Sequence, residues 1–330
     1  MKNFCTLFDI NFMTQGLTMY KSLKRHCKDF HLYIFAFCDK SYSELSKMNL
    51  ENATIISLEE FEKDNFRLQE AKNNRSRGEY CWTCASSTIL YCLKNYNLES
   101  CTYLDADLMF FNDPTCLIEE MGDKSVLITE HHYTTKSDQT ETSGKYCVQF
   151  MTFKNNEQGL QVLNWWVDRC IEWCYARFED GKFGDQKYLD DWLERFDCVH
   201  SLNHLGGGVA PWNFEQYDFY KQNNQWFIKE ISSNKTYPLI FYHFHDVKIQ
   251  ENGYFNDDRY FSYKSKNSIL EPIYSEYLSI LKSINPNVKG INPFSIKNIK
   301  SLRKNLIRIK FGKKGYLYIF GKKIFGSNND

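Results

Sequence analysis

Two carboxylates, Asp105 and Asp107, stand one residue apart in the apolar stretch "TYLDADLMFF", residues 102–111. Burying a charge is unfavourable unless an opposite charge or a set of hydrogen bonds compensates it. Carboxylate oxygens are the ligands that Mg²⁺ and Mn²⁺ prefer, and such an ion can in turn bind a diphosphate. Two acids in this spacing lie on the same face of a strand. The pair therefore predicts a divalent-metal site, and the alternative is a pair of solvated acids at a strand end.

The elements that would position this pair alternate between strand and helix. Apolar stretches typical of buried strands alternate with stretches of helical periodicity up to residue 111. The expected strands are 4–9, 30–39, 52–61 and 100–111, and the expected helices are 13–26, 41–49 and 78–97. This alternation indicates an α/β fold with a parallel sheet flanked by helices, in which ligands bind beyond the carboxyl ends of the strands.

The second half of the chain is less regular. It predicts strands at 125–132, 145–155, 225–231 and 239–248, a helix of about six turns at 157–179, a loop and helix at 181–196, and a glycine-rich loop at 204–214. We expect a catalytic domain at 1–250, a helical extension at 251–291 and a basic amphipathic tail at 292–330.

The composition limits the class of protein. The 330 residues are 42% hydrophobic and 17% aromatic, which suffices for a large core, and the formal net charge of zero does not favour nucleic-acid binding by bulk charge. The start lacks the apolar segment of a signal peptide, and no stretch reaches the roughly 18 apolar residues of a spanning helix. We therefore expect a cytoplasmic protein with reduced cysteines, in which the pair Cys81 and Cys84 of "CWTC" serves helix packing rather than zinc binding.

The stretch "YLDADLMFFNDP" resembles the D-x-D signature of glycosyltransferases of the GT-A fold. Together with "FGDQKYLDDW" and "GGGVAPWN", it is similar to bacterial enzymes that build surface polysaccharides and that resemble the retaining transferases of family 8. The resemblance spans about residues 3 to 250. It implies a Rossmann-like, mixed and mostly parallel sheet, with Asp105 and Asp107 holding Mn²⁺ or Mg²⁺ against a nucleotide-diphosphate sugar.

The segment "FDINF" is similar to the first-strand motif of this family and implies contacts to the nucleoside. Asp9 would accept a hydrogen bond from the base, Asn11 would contact the nucleoside, and Phe12 would stack on a ring. The alternative for Asp9 is to cap the following helix. The segment "YHFHDVK" resembles the late histidine motif, so that His243, or His245 as its rival, would complete the metal site. The resemblance gives Lys248 a contact to the diphosphate.

Two further segments suggest the sugar pocket. "GDQKYLDDW" is similar to the family's D-Q segment, which places Asp185 and Gln186 near the reacting sugar; the alternative for Asp185 is a helix N-cap. "GGGVAPWN" lacks the spacing of a phosphate-binding loop. Gly207 and Gly208 would instead allow close approach of substrate, and Trp212 would offer its face to a sugar or pack in the core.

The chain departs from the family pattern in two places. The helix before D-x-D lacks the usual arginine, for which Arg75 or Arg77 would substitute from a loop, and Cys147 stands where asparagine is commoner. We count Arg77 and Asp105 among the donor-binding residues. Retention and inversion of the anomeric configuration both stay open, with Asp185 as the candidate base for inversion.

The sequence thus favours a metal-dependent glycosyltransferase that moves a sugar, with UDP as the favoured nucleotide, to a glycan or lipid-linked glycan acceptor. The alternatives are a phosphatase of the haloacid-dehalogenase type, whose motif is also D-x-D, and an inactive carbohydrate-binding or scaffold protein of the same fold. From Lys289 onward the only acid is Asp330, against ten lysines and arginines in the tail. The tail would attach to an anionic membrane surface at the inner face of the cytoplasmic membrane, or else lie solvated on the acidic body.

Overall fold

The computed structural model of the chain describes residues 1–249, 254–256, 271–288, 290–291, 317–319 and 322–325. The chain divides into two compact units. The first comprises Met1–His245 and Ile269–Asn285, and the second comprises Asp246–Ser268 and Pro286–Asp330. No helix within the described residues combines the length and the hydropathy that crossing a membrane requires.

A mixed sheet forms the centre of the first unit. The strands of this unit are Lys2–Phe8 (β1), Phe30–Ala36 (β2), Ala53–Ser57 (β3), Ser100–Leu104 (β4), Leu108–Phe110 (β5), Val126–Glu130 (β6), Tyr146–Lys154 (β7), Val199–Ser201 (β8), Gly207–Val209 (β9), Tyr217–Gln222 (β10), Gln225–Glu230 (β11), Thr236–Pro238 (β12) and Phe241–His243 (β13). The large sheet has the order β3-β2-β1-β4-β7-β6-β8, and all its neighbours are parallel except those of β7. The predicted mixed, mostly parallel sheet is confirmed.

Helices cover both faces of this sheet. They are Met13–His26 (α1), Asp39–Lys47 (α2), Leu58–Glu62 (α3), Phe66–Lys72 (α4), Arg77–Asn95 (α5), Thr115–Glu119 (α6), Thr140–Ser143 (α7), Glu157–Glu172 (α8), Trp192–Arg195 (α9) and Glu271–Ile284 (α10). Helix α10 packs within the first unit, where Tyr277 stacks on Phe244 with ring centroids 3.7 Å apart, although it follows the predicted boundary at residue 250. The division of the chain at 250 and 291 stays a prediction.

The side chains on both faces of the central strands are buried. On β1, Cys5 and Leu7 join the core beneath α5 and α8, whereas Phe4 and Phe8 join the core that includes α1. Because successive side chains of a strand point to opposite faces, a strand between two helical layers reads as a continuous apolar run. This explains why these strands could be recognised from the sequence.

Helix α8 ends at Glu172, earlier than the predicted end at residue 179. The guanidinium of Arg75 donates to the carbonyl oxygens of Ile171 and Glu172, at 3.2 and 3.3 Å, and so satisfies the last turn of the helix. Its guanidinium also stacks on the ring of Tyr175, 3.9 Å from the ring centroid. The predicted helix at 181–196 consists of a 3-10 turn at Lys187–Leu189 followed by the single turn of α9.

The second unit contains short strands at Lys248–Ile249 (β14), Tyr254–Asn256 (β15), Gly290–Ile291 (β16), Leu317–Ile319 (β17) and Lys322–Phe325 (β18). Strands β17 and β18 are antiparallel. The predicted strand at 239–248 reaches Lys248, and the sequence predicted no strand beyond it. The tail at 292–330 lies outside the described residues except for these two strands, so the expectation of a membrane-binding segment stays a prediction.

Candidate active site

The carboxylate pair lies at the carboxyl edge of the sheet, in the bend between β4 and β5. Asp105 follows directly after β4, and Asp107 directly precedes β5. The two residues are therefore not on one strand face, as the spacing had suggested, but are brought together by a turn. Asp9 follows directly after β1, and because β1 and β4 are parallel neighbours, Asp9 and Asp105 lie at the same edge.

Strand β13 brings two histidines to the carboxylates. It pairs antiparallel with β5 and places His243 opposite Leu108. The Nε2 atom of His243 lies 3.0 Å from Oδ1 of Asp107 and 3.8 Å from Oδ2 of Asp105. The ligand atoms of Asp107, His243 and His245 all lie within 4.8 Å of one another. His243 and His245, written as rivals from the sequence, are thus both at the site.

Gln149 of β7 holds the buried imidazole of His243 in place. Its Oε1 accepts a hydrogen bond from Nδ1 of His243 at 2.7 Å, so that Nε2 faces the two carboxylates. Its backbone oxygen accepts the N–H of Asp105 at 3.0 Å. Such partners of a metal-binding histidine fix the orientation of the ring. Sequence reasoning missed Gln149, although it is a lone amide in the apolar strand "YCVQFMTF".

The charges at this site depend on one another. Burial raises the pKa of Asp105 to about 6, an effect that the nearby His243 opposes and Asp107 reinforces. Burial lowers the pKa of His243, but the carboxylates of Asp107 and Asp105 outweigh burial and raise it well above its usual value. An imidazolium between carboxylates therefore supplies the positive charge that this arrangement requires when no cation is bound.

The donor set fits a divalent cation. The imidazole of His243, whose Nδ1 is already engaged, faces both carboxylates through Nε2, and the sulfur of Cys147 lies within 4.8 Å of the ligand atoms of Asp105 and His243. Oxygen ligands suit Mg²⁺ and Mn²⁺, and an imidazole favours Mn²⁺ of the two. Loss of the His243 proton would accompany binding, so the affinity for the cation should increase with pH.

Substitution of Gln149 tests its role beside His243. We expect Gln149→Leu to weaken Mn²⁺ binding by about 10- to 100-fold, because the imidazole loses the partner that directs Nε2 to the carboxylates. Isothermal titration with Mn²⁺ would measure the change. Thr152→Val is the matched control, since Thr152 is also a buried polar residue of β7 but bonds to Thr102, at 2.8 Å. Equal Mn²⁺ affinities for wild type and Gln149→Leu would contradict the assignment.

Asp9 is buried and its carboxylate is fully engaged. Oδ1 accepts the backbone N–H groups of Asn11 and Phe12 at 2.7 and 3.3 Å, and Oδ2 accepts the side-chain amide of Asn11 at 3.2 Å. Nε of Arg77 lies 2.6 Å from Oδ2 of Asp9. Arg77 is the first residue of α5 rather than part of a loop, because Ser76 and Glu79 form a capping box before it. Asp9 thus organises the turn after β1, but it does not cap α1, whose N-cap is Phe12. Its predicted contact to the base stays a prediction.

Asp185 and Gln186 lie on the loop that precedes the 3-10 turn. Asp185 is 6% exposed, and burial together with the charge of Asp105 raises the pKa of its carboxyl to about 8. Its backbone oxygen accepts the indole N–H of Trp166 at 2.9 Å. Gln186 donates through Nε2 to the carbonyl of Ser143 at 2.6 Å. Asp185 is therefore part of the same electrostatic site as Asp105, while Gln186 ties its loop to α7.

Neighbouring side chains of the protein pack closely against the glycine-rich segment. A Cβ on Gly207 would lie 2.6 Å from a methyl carbon of Leu117, and Gly208 has a φ of +127° that favours glycine. These contacts explain the glycines as packing positions in β9. Trp212 is 5% exposed, and its ring contacts those of His243 and His245 at centroid distances of 5.3 and 5.5 Å. It supports the two histidines, and little of its face is open to a sugar.

A polar cavity of about 240 Å³ lies beyond Trp212. Its lining includes Glu130, His132 and Lys145, and Lys145 Nζ lies 3.3 Å from a carboxylate oxygen of Glu130. His131 connects the cavity to the histidine cluster, because its ring stacks on Tyr133 at 4.5 Å and meets Trp212 edge-on at 5.2 Å. The side chain of Lys248 lies outside the described residues, and its predicted contact to a diphosphate stays a prediction.

Comparison with solved structures identifies the fold. Over 86% of this chain and 96% of the other, the fold is similar to that of the galactosyltransferase LgtC in complex with donor and acceptor sugar analogues, with a TM-score of 0.53 and 11% sequence identity. The predicted GT-A glycosyltransferase fold is therefore confirmed. No known protein-family model matches the chain.

Comparison with curated sequences gives the particular family. The chain is 31% identical over 254 residues to YfnF of Bacillus subtilis (strain 168), covering 74% of this chain and 82% of YfnF. It is 29% identical over 284 residues to YfnD of the same organism, covering 85% of this chain and 88% of YfnD. Both relatives are described as uncharacterized proteins. The chain belongs to the family of YfnF.

Proposed function

We propose that this protein is a metal-dependent glycosyltransferase that moves a sugar from a nucleotide-diphosphate sugar to a hydroxyl group of a glycan. The observation that carries the proposal is the convergence of Asp105, Asp107 and His243 at the carboxyl edge of a GT-A sheet. Mn²⁺ or Mg²⁺ bound there would stabilise the negative charge that develops on the departing nucleotide diphosphate. UDP is the favoured nucleotide on the strength of the sequence resemblance.

The residues around the proposed metal ligands form two groups, one for the nucleotide-sugar donor and one for the acceptor sugar. The turn that Asp9 and Arg77 organise presents Asn11 and the half-buried ring of Phe12 at the edge where a nucleoside would lie. The cavity beside Glu130 and Lys145 offers hydrogen-bond donors and acceptors, which suits an acceptor sugar. We therefore propose that the nucleotide binds near β1 and the acceptor binds near the start of β7.

Asp185 would act next to the reacting sugar. A carboxyl group that keeps its proton near neutral pH can donate a hydrogen bond to a sugar hydroxyl, and it becomes a base when a nearby cation or a higher pH removes the proton. Both roles are compatible with its burial beside Asp105. Retention and inversion therefore remain two forms of the proposal.

A panel of nucleotide sugars tests the proposed reaction. With Mn²⁺ present we expect slow release of the sugar and the nucleoside diphosphate from one member of the panel, because water can replace the acceptor, and we expect EDTA to abolish the release. Phosphate release from phosphate monoesters would instead support the haloacid-dehalogenase alternative, although that motif is not expected after the fourth strand of a GT-A sheet. Calorimetry that finds no joint binding of Mn²⁺ and any nucleotide would favour the scaffold alternative.

The acceptor class and the cellular location also belong to this proposal. A surface polysaccharide, lipopolysaccharide or capsule precursor is the acceptor that the sequence resemblance implies. A lipid-linked acceptor would bring the enzyme to the inner face of the cytoplasmic membrane, where the basic residues of the tail would favour an anionic surface.

A further inference from the structure

A cluster of three cysteines lies on the α5 face of the sheet, within the core. Cys5 is on β1, Cys101 is on the neighbouring strand β4, and Cys92 is on α5, which packs across both strands. All three side chains are fully buried. Their sulfur atoms lie within 4.8 Å of one another. These three rigid elements hold the sulfurs together although the residues are far apart in the sequence.

A fourth polar atom faces this cluster. Thr88 is one helical turn before Cys92 on α5, and its Oγ1 lies 3.7 Å from the sulfur of Cys5. The hydroxyl hydrogen is directed to the carbonyl of Ala85, with an oxygen–oxygen distance of 2.7 Å. A lone pair of the hydroxyl is therefore available on the side of the cysteines. The cluster offers three sulfur ligands, and the Thr88 hydroxyl is a hydrogen-bond acceptor beside the sulfur of Cys5.

The spacing of the sulfurs matches the coordination of a soft cation. Zinc–sulfur bonds of about 2.3 Å place the sulfurs of a tetrahedral site about 3.8 Å apart. Sulfurs already within 4.8 Å would need only small rotations of their side chains to reach that spacing. A divalent cation would also compensate two of the three negative charges that thiolate ligands bring into the core.

We propose that Cys5, Cys92 and Cys101 form a structural site for a thiophilic cation such as Zn²⁺, separate from the carboxylate–histidine site. Zinc sites that are closed to solvent and rich in cysteine contribute to folding rather than to chemistry. The carboxylate–histidine site, by contrast, is partly exposed and takes harder cations through oxygen and nitrogen ligands. The two sites should therefore differ in their response to a chelator.

The burial of the three cysteines determines how a cation would reach the cluster. Because the cluster is closed, the metal would enter during folding and leave slowly afterwards.

Elemental analysis of the full-length protein tests the site. Protein produced in zinc-supplemented medium would be dialysed against EDTA, which removes metal from the partly exposed site, and the zinc that remains would be measured. We expect one zinc per chain in wild type and in Cys84→Ala, the control for a buried cysteine of α5 outside the cluster. We expect none in Cys92→Ala or Cys101→Ala.

A second measurement keeps the test independent of variants that fail to fold. Wild-type protein produced with Cd²⁺ in place of Zn²⁺ should show thiolate-to-cadmium charge-transfer absorption that survives EDTA. Wild type without chelator-resistant metal, or Cys101→Ala with as much zinc as wild type, would overturn the proposal. So would mass spectrometry under non-reducing conditions that finds a disulfide between two of the three cysteines.

Discussion

Asp107→Asn should lower the rate of nucleotide-sugar turnover by at least about 100-fold, the scale at which electrostatic groups act on developing charge. The substitution nearly keeps the volume of the side chain and replaces a charged carboxylate with a neutral amide. Asp107 lies 3.0 Å from Nε2 of His243, so its carboxylate holds the imidazole and, in the proposed site, would also bind the cation. Steady-state turnover of the best nucleotide sugar at several Mn²⁺ concentrations would measure the loss.

The same variant should leave the fold intact. The side chain of Asp107 is partly exposed, and Asn can still accept hydrogen bonds, so the far-ultraviolet circular dichroism and the melting temperature should change little. Asp123→Asn, which removes an exposed acid from the turn before β6, is the matched control and should retain wild-type turnover. Turnover by Asp107→Asn within a few-fold of wild type would show that the metal is held elsewhere.

The sequence predicted the main sheet because its strands are apolar on both faces. β1 and β2 lie between two helical layers, so alternate residues are buried on opposite sides, and the resulting apolar runs are visible without a structure. The helix that begins at Glu157 was predicted too long because its helical periodicity continues beyond Glu172. Its end is marked by Arg75, which is distant in sequence and donates to the last carbonyl oxygens of the helix.

The candidate site was predicted in part. Local motifs pointed to Asp105, Asp107 and His243, and in the structure the imidazole of His243 lies close to both carboxylates. Gln149 was missed because its role depends on a hydrogen bond to a residue 94 positions away, which no local pattern records. The three-cysteine cluster was missed for the same reason. The spacing of Cys81 and Cys84 indicates a pair within one helix, whereas the three cysteines of the cluster come from three separate elements.

Asp185→Asn should make the metal-free protein more stable at alkaline pH. The carboxyl of Asp185 has a usual pKa of 3.8 in the unfolded chain and one of about 8 in the fold, chiefly because it is buried. The folded state therefore binds a proton more tightly than the unfolded state. Its stability falls as pH rises from about 4 to about 8, and it changes no further above that range. An amide at this position has no charge to bury at any pH.

The expected gain is about 2 to 4 kcal/mol near pH 9 and decreases towards pH 4, since one pKa unit corresponds to about 1.4 kcal/mol and local relaxation reduces the full effect. Urea denaturation in EDTA, at a series of pH values between about 5 and 9, would measure the difference between variant and wild type. The stability of Asp123→Asn should follow that of wild type over the same pH range. Parallel curves for Asp185→Asn would show that Asp185 ionises normally in the fold.

Although Asp185→Asn should be more stable than wild type at alkaline pH, its turnover should be lower. If Asp185 exchanges a proton or a hydrogen bond with the reacting sugar, its loss should lower turnover by about 10²-fold or more, the range typical of general acid–base groups. A residue that served only to build the fold would lose stability and activity together. A variant that is more stable at pH 9 and yet inactive would therefore identify Asp185 as a group whose burial beside Asp105 is maintained for the reaction, at the expense of stability.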